Sequence, residues 1–124
     1  MSDAIGQAWA DELAGRAYEA PPDEAFLRQF ARSPYIQGIL RTPFNPRGAR
    51  VLEPGCGSGK FSLALAGSGA RVTVLDFVPQ VLADVRAAQA ALREPWRAAA
   101  LTFSAGSLGR LPFADGAFDL VLNE

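Results

Sequence analysis

Histidine is missing from the 124-residue chain, cysteine occurs once, at Cys56, and lysine once, at Lys60. With no imidazole and a lone thiol, the usual zinc ligand sets, a Ser-His-Asp relay and an intrachain disulfide have nothing to be built from, and no metal site is expected. Net charge is scarce too. Twelve Lys and Arg against 13 Asp and Glu leave −1, which gives no reason to expect a nucleic-acid surface. No apolar run approaches the ~18 to 20 residues of a membrane span, and Met1-Ser2-Asp3 shows no basic region followed by an apolar stretch. The expectation is a cytoplasmic protein with neither a membrane nor a nucleic-acid partner.

A hydrophobic content of 49% over this length supports one globular core and caps the architecture at a single domain. The most informative stretch is Val51-Leu52-Glu53-Pro54-Gly55-Cys56-Gly57-Ser58-Gly59-Lys60-Phe61. An apolar run, an acid, three alternating glycines and then Phe61, Leu63 and Leu65 describe a buried strand turning sharply into a helix. Without Cβ atoms such a turn can approach a ligand closely, and the new helix points unpaired N–H groups at it. A nucleotide-like ligand is expected.

Spacing discriminates between templates. A phosphate-cradling P-loop requires a glycine where Pro54 stands and a hydroxyl where Phe61 stands, so it fails. The dinucleotide fingerprint places its third glycine at Lys60, and Glu53 would meet a pyrophosphate as a like charge, whereas it would attract a cationic amino-acid moiety. Dinucleotide binding is disfavoured.

Along the chain, Ile5, Trp9, Leu13 and Ala17 have roughly helical spacing, Pro21-Pro22 stops that helix, and Asp23 can cap a second one containing Phe26, Leu27 and Phe30. A third short segment covers Pro34 to Leu40. Trp9, Tyr18 and Tyr35 are read as packing these helices on a sheet. Arg50 to Glu53 is the first strand, Ser58 to Ala66 the first helix after it, and Arg71 to Asp76 a β-branched second strand ending on a carboxylate. Asp76 follows Gly59 by 17 residues, near the ~20-residue offset at which α/β units place an acid on ribose hydroxyls. Pro79 to Arg93 has one apolar helical face, Leu101-Thr102-Phe103 is a third strand, and Leu111 through Asn123 reads as a loop, an Asp115-Gly116 turn and a fourth strand. Cys56 is a small turn residue, Lys60 a solvated first-turn residue, and Asp115 and Asp119 turn or strand-start residues on this reading.

Glu53-Pro54-Gly55-Cys56-Gly57-Ser58-Gly59 resembles the first motif of the class I S-adenosylmethionine-dependent methyltransferases, and Leu111-Pro112-Phe113, Asp115-Gly116 and Phe118-Asp119-Leu120-Val121 resemble the fourth-strand segment of the type 11-like members. The resemblance implies an α/β, Rossmann-like three-layer sandwich with a parallel sheet of order 3-2-1-4 and N-terminal helices. Residues 1–48 would form the helical segment, often a cover for the pocket in this family, and 49–124 a partial cofactor-binding domain, incomplete on its C-terminal side. It also implies S-adenosylmethionine as cofactor. Glu53, Gly55, Gly57 and Gly59 would shape the methionine end, Asp76 would hold the ribose, Phe77 would lie against the adenine, Ser107 and Leu108 would reach its edge, and Asn123 would face the sulfonium. No catalytic residue follows, and the acceptor would be a small molecule.

Two departures stand out. Many relatives carry an acid shortly after the third strand, where this chain has Gly106-Ser107-Leu108, so adenine recognition loses charge assistance. The resemblance also covers roughly the first half of the family domain, so a fragment is expected, with a fourth-strand edge open to pairing with a partner or with a missing C-terminal half. Alternative readings are a non-catalytic cofactor- or partner-binding half-domain and an NAD-dependent oxidoreductase fragment.

Overall fold

The computed structural model describes residues 21–41, 47–107, 113 and 115–122. The expected helix over 1–20, with Trp9 and Tyr18, lies outside them, as do the site candidates Leu108 and Asn123. The described elements are α1 (Glu24–Phe30), α2 (Pro34–Leu40), β1 (Arg50–Pro54), α3 (Lys60–Gly67), β2 (Arg71–Asp76), α4 (Pro79–Ala91), β3 (Leu101–Ala105) and β4 (Leu120–Val121).

All strand pairs are parallel and the order is β3-β2-β1-β4, the α/β, Rossmann-like arrangement that the resemblance implied. Val51, Leu52 and Glu53 are buried in succession, as in a strand covered on both faces. Register places Val51 beside Val72 and Leu120, and Val72 beside Leu101, so one row of apolar side chains runs across the sheet into the core. Leu63, Val81 and Val85 meet that core from α3 and α4. The chain steps from β1 to β2 to β3 in one direction, so right-handed crossovers bring both helices to the same face. Two glycines, one at each end of α3, allow close approach of neighbouring segments. A Cβ on Gly59 would stand 2.8 Å from Val85 Cγ1, and one on Gly67 would stand 2.7 Å from Trp96 Cδ1.

Short helices need caps and burial to persist. Asp23 caps α1 by accepting from the Phe26 N–H at 2.8 Å, and Ser33 caps α2, with Pro34 in its first turn. Leu27 and Ile36, both fully buried, join the same core as α3. The expectation that Tyr35 packs on the sheet is corrected: it is 72% exposed, because α2 spends its one buried face on Ile36.

Four of the expected boundaries move. α3 begins at Lys60, since Gly59 sits left-handed (φ 81°) at the cap and keeps Ser58 in the turn. α4 ends at Ala91, where Leu92 turns extended and buries itself against the core. β3 runs on to Ala105 beside β2, while β4 is confined to Leu120–Val121. That short strand is pinned at its start. Asp119 N–H donates to Arg50 O at 2.7 Å, the Arg50 N–H donates to Asp119 Oδ2 at 2.8 Å, and the guanidinium meets the carboxylate at 3.1 Å.

Gly59→Ala combines a left-handed backbone with a collision at Val85 and is expected to destabilise the fold by roughly 2 to 4 kcal/mol. Gly57→Ala, whose Cβ would enter open space, is expected to cost only the conformational part, about 1 to 2 kcal/mol. Urea unfolding of the pair measures the difference; equal losses would refute the close-packing account. The Arg50 hydrogen bonds hold Asp119 below its ordinary carboxylate pKa. Their support of β4 is therefore present above that ordinary value and fades as pH falls through the lowered one. Amide exchange at Leu122, relative to Val72, is expected to lose protection on acidification below the ordinary carboxylate range, and Asp119→Asn to remove that pH dependence. A ratio unchanged by pH in the wild type would contradict the clamp.

Candidate functional site

β1 ends in Pro54, and the chain reverses through Gly55, Gly57 and Gly59, whose φ values are 69°, 56° and 81°. Only glycine holds three such positions in five residues without strain. The Gly55 N–H donates to Leu75 O at 2.7 Å, tying the turn to the end of β2, and the Gly59 N–H closes it on Cys56 O at 3.0 Å. The turn delivers the chain into α3, whose first N–H groups and positive dipole end lie at the same place. A Cβ on exposed Gly57 would meet nothing within 4 Å, so its outer side is open space.

Two carboxylates flank this turn. Glu53, the penultimate residue of β1, is 1% exposed, and its Oε1 accepts from the Ser62 hydroxyl of α3 at 2.5 Å. Asp76 ends β2 and is only half-buried. Its Oδ1 accepts from the Val78 N–H at 3.0 Å, its Oδ2 lies 3.8 Å from Cys56 Sγ, and its carbonyl accepts from the Gly106 N–H at 3.2 Å. Asp76 is thus fixed from the glycine turn, from its own loop and from the end of β3. Phe77 follows it, half-buried, and Ser107 lies half-buried two residues beyond β3.

Glu53, Gly55, Gly57, Gly59, Asp76, Phe77 and Ser107 are accordingly gathered at the carboxyl ends of β1, β2 and β3, the edge where open α/β sheets hold ligands. Leu108 and Asn123 lie outside the described residues.

The electrostatics suit binding better than nucleophilic attack. Burial pushes the Cys56 thiol far up, and the negative charges of Asp76 and Glu53 push it further, so it stays protonated at neutral pH. The Lys60 ammonium sits 5.9 Å from the Phe30 ring centroid and 6.0 Å from that of Phe61, so the residue expected to be merely solvated packs as a cation over aromatic faces. Among the described residues no group of His, Cys, Asp or Glu is placed to hold a metal ion, and no helix is long and apolar enough to cross a membrane. What the site offers is a set of backbone donors, one carboxylate in the core and one at the rim. That chemistry fits a ligand carrying a cationic group and vicinal hydroxyls. Sequence reasoning missed Ser62 as the partner of Glu53; the available signal was a hydroxyl in the first turn of a helix that starts just beyond a buried acid.

Comparison with known proteins converges on one family. The family described as "Methyltransferase domain" matches residues 52–124. An uncharacterized protein of Mycobacterium tuberculosis is 43% identical over 103 residues, 82% of this chain and 35% of that protein. The ubiquinone biosynthesis O-methyltransferase of Methylocella silvestris is 36% identical over 85 residues, 63% of this chain and 33% of that enzyme. The chain spans about a third of the length of these curated relatives. Among solved structures, an S-adenosylmethionine-dependent methyltransferase from Mesorhizobium loti superposes with a TM-score of 0.57 at 28% identity, over 78% of this chain and 40% of that one. Magnesium protoporphyrin IX methyltransferase from Synechocystis, crystallised with bound SAH, superposes with a TM-score of 0.63 over 98% of this chain and 55% of that one; at 21% identity it speaks to the fold alone.

The raised thiol pKa gives this site a chemical signature. Alkylation of native Cys56 by iodoacetamide at about pH 8 is expected to be far slower than alkylation of the urea-unfolded chain. Comparable rates, read by mass spectrometry, would show that the thiol is neither buried nor held protonated.

Proposed function

The chain belongs to the methyltransferase-domain family, and on that premise we propose that residues 49–124 form the cofactor-binding part of an S-adenosylmethionine-dependent methyltransferase. The observation that carries the reading is the junction of the glycine turn with Asp76, made by the 2.7 Å bond from Gly55 N–H to Leu75 O. It brings close-approach backbone and a half-buried carboxylate to adjacent strand ends. On this reading Gly55, Gly57 and Gly59 admit the amino-acid end of the cofactor, and Glu53 supplies the negative charge that orients its ammonium. Asp76 accepts from the ribose hydroxyls, a role for which its two oxygens suit it. Phe77 offers an apolar face to the adenine and Ser107 a neutral hydrogen bond at its edge, with Leu108 beside it and Asn123 towards the sulfonium.

When bound, S-adenosylmethionine supplies an electrophilic methyl group on a sulfonium, so the protein's task is alignment and exclusion of water. The acceptor is proposed to be a small molecule. Because the chain spans only part of its relatives, acceptor chemistry is assigned to the whole protein. The β4 edge, where Val121 is 55% exposed, is proposed as the place where a further strand pairs.

Calorimetric titration tests the cofactor reading. S-adenosylmethionine and S-adenosylhomocysteine are expected to bind, and NAD is not. Asp76→Ala is expected to weaken binding by roughly 1 to 3 kcal/mol through loss of charge-assisted hydrogen bonds. Binding of NAD alone would overturn the methyltransferase reading, and unchanged affinity in a folded Asp76→Ala variant would remove Asp76 from the site.

A further inference from the structure

Ser62 is the third residue of α3 and is fully buried, and its hydroxyl donates a hydrogen bond to the carboxylate of Glu53, nine residues earlier in the chain. A serine this early in a helix has cheaper options: it can face water, or donate to a carbonyl one turn back. Its neighbours Leu63, Ala64 and Leu65 are buried apolar residues, so packing alone would be served by alanine. The hydroxyl is therefore matched to Glu53 rather than to the helix.

The consequence is control of a charged group. A glutamate side chain has three rotatable torsions, so its oxygens keep one direction only where partners hold them. The Ser62 bond fixes one oxygen beside the first turn of α3. A buried anion held in one orientation beside a glycine turn selects a cationic group, and it repels a pyrophosphate. We infer that Ser62 is a positioning residue for the ammonium end of S-adenosylmethionine, acting through Glu53. This rests on the cofactor reading above.

The test compares two ligands that differ in the amino-acid portion: S-adenosylhomocysteine, which has it, and 5′-methylthioadenosine, which keeps the nucleoside and thioether but has no ammonium. By titration calorimetry, Ser62→Ala is expected to weaken S-adenosylhomocysteine about tenfold while moving 5′-methylthioadenosine by less than about twofold. Equal losses for both ligands, or none for S-adenosylhomocysteine, would overturn the positioning role. If circular dichroism shows that the alanine variant does not fold, Ser62→Thr and Ser62→Val carry the test. They have nearly equal volume and differ by the hydroxyl, so the threonine variant should bind S-adenosylhomocysteine better than the valine variant, with 5′-methylthioadenosine indifferent; indifference to both ligands would overturn the inference. A wild-type chain that binds neither ligand would instead overturn the cofactor reading itself.

Discussion

A carboxylate placed in the core at the end of a central strand dictates much of what surrounds it. Moving an ionised group out of water costs several kcal/mol unless dipoles or hydrogen bonds answer it. Around Glu53 the answer is the first turn of α3, which brings its positive end and the Ser62 hydroxyl back over β1. Reaching that position so soon after the strand demands a reversal too tight for ordinary residues. Hence the alternating left-handed glycines, and hence also the small Cys56 between them. Hence, finally, the contact of Gly59 with Val85, which leaves no space for a side chain between α3 and α4.

The second carboxylate is governed by topology rather than by burial. Because β1 and β2 are parallel neighbours, their carboxyl ends come together, and Asp76 arrives beside the turn although it is distant in sequence. The two acids therefore sit in different surroundings, one sealed and one at the rim. On the proposed cofactor reading, that division assigns the sealed acid to charge and the rim acid to hydroxyl groups.

How much of this was legible in the sequence varies with the range of the interactions involved. Asp23 as a cap, the limits of α2, and the strand from Arg71 to Asp76 follow from local rules and stand in the structure as expected. The sheet order was legible through resemblance, since periodicity alone does not rank parallel strands. The partner of Glu53, the exposed face of Tyr35 and the seat of Lys60 over Phe30 and Phe61 were not legible. Each depends on how two elements cross in space, and a one-dimensional pattern does not record which of several buried faces meets which. The early stop of α4 belongs with these, because Leu92 leaves the helix to join a core assembled from distant segments.

The clamp between Arg50 and Asp119 spans 69 positions of chain, and it bears on the order in which the sheet assembles. β1, β2 and β3 are joined by short crossovers and grow outward in one direction, each addition closing a modest loop. β4 must return to the opposite side of β1, closing the longest loop in the sheet. Loop-closure entropy rises only logarithmically with length, by about 0.6 kcal/mol per doubling, so a two-residue strand with one polar clamp can hold that return. A strand attached so lightly is expected to dock last and leave first, which makes the β4 edge the most easily remodelled margin of the sheet.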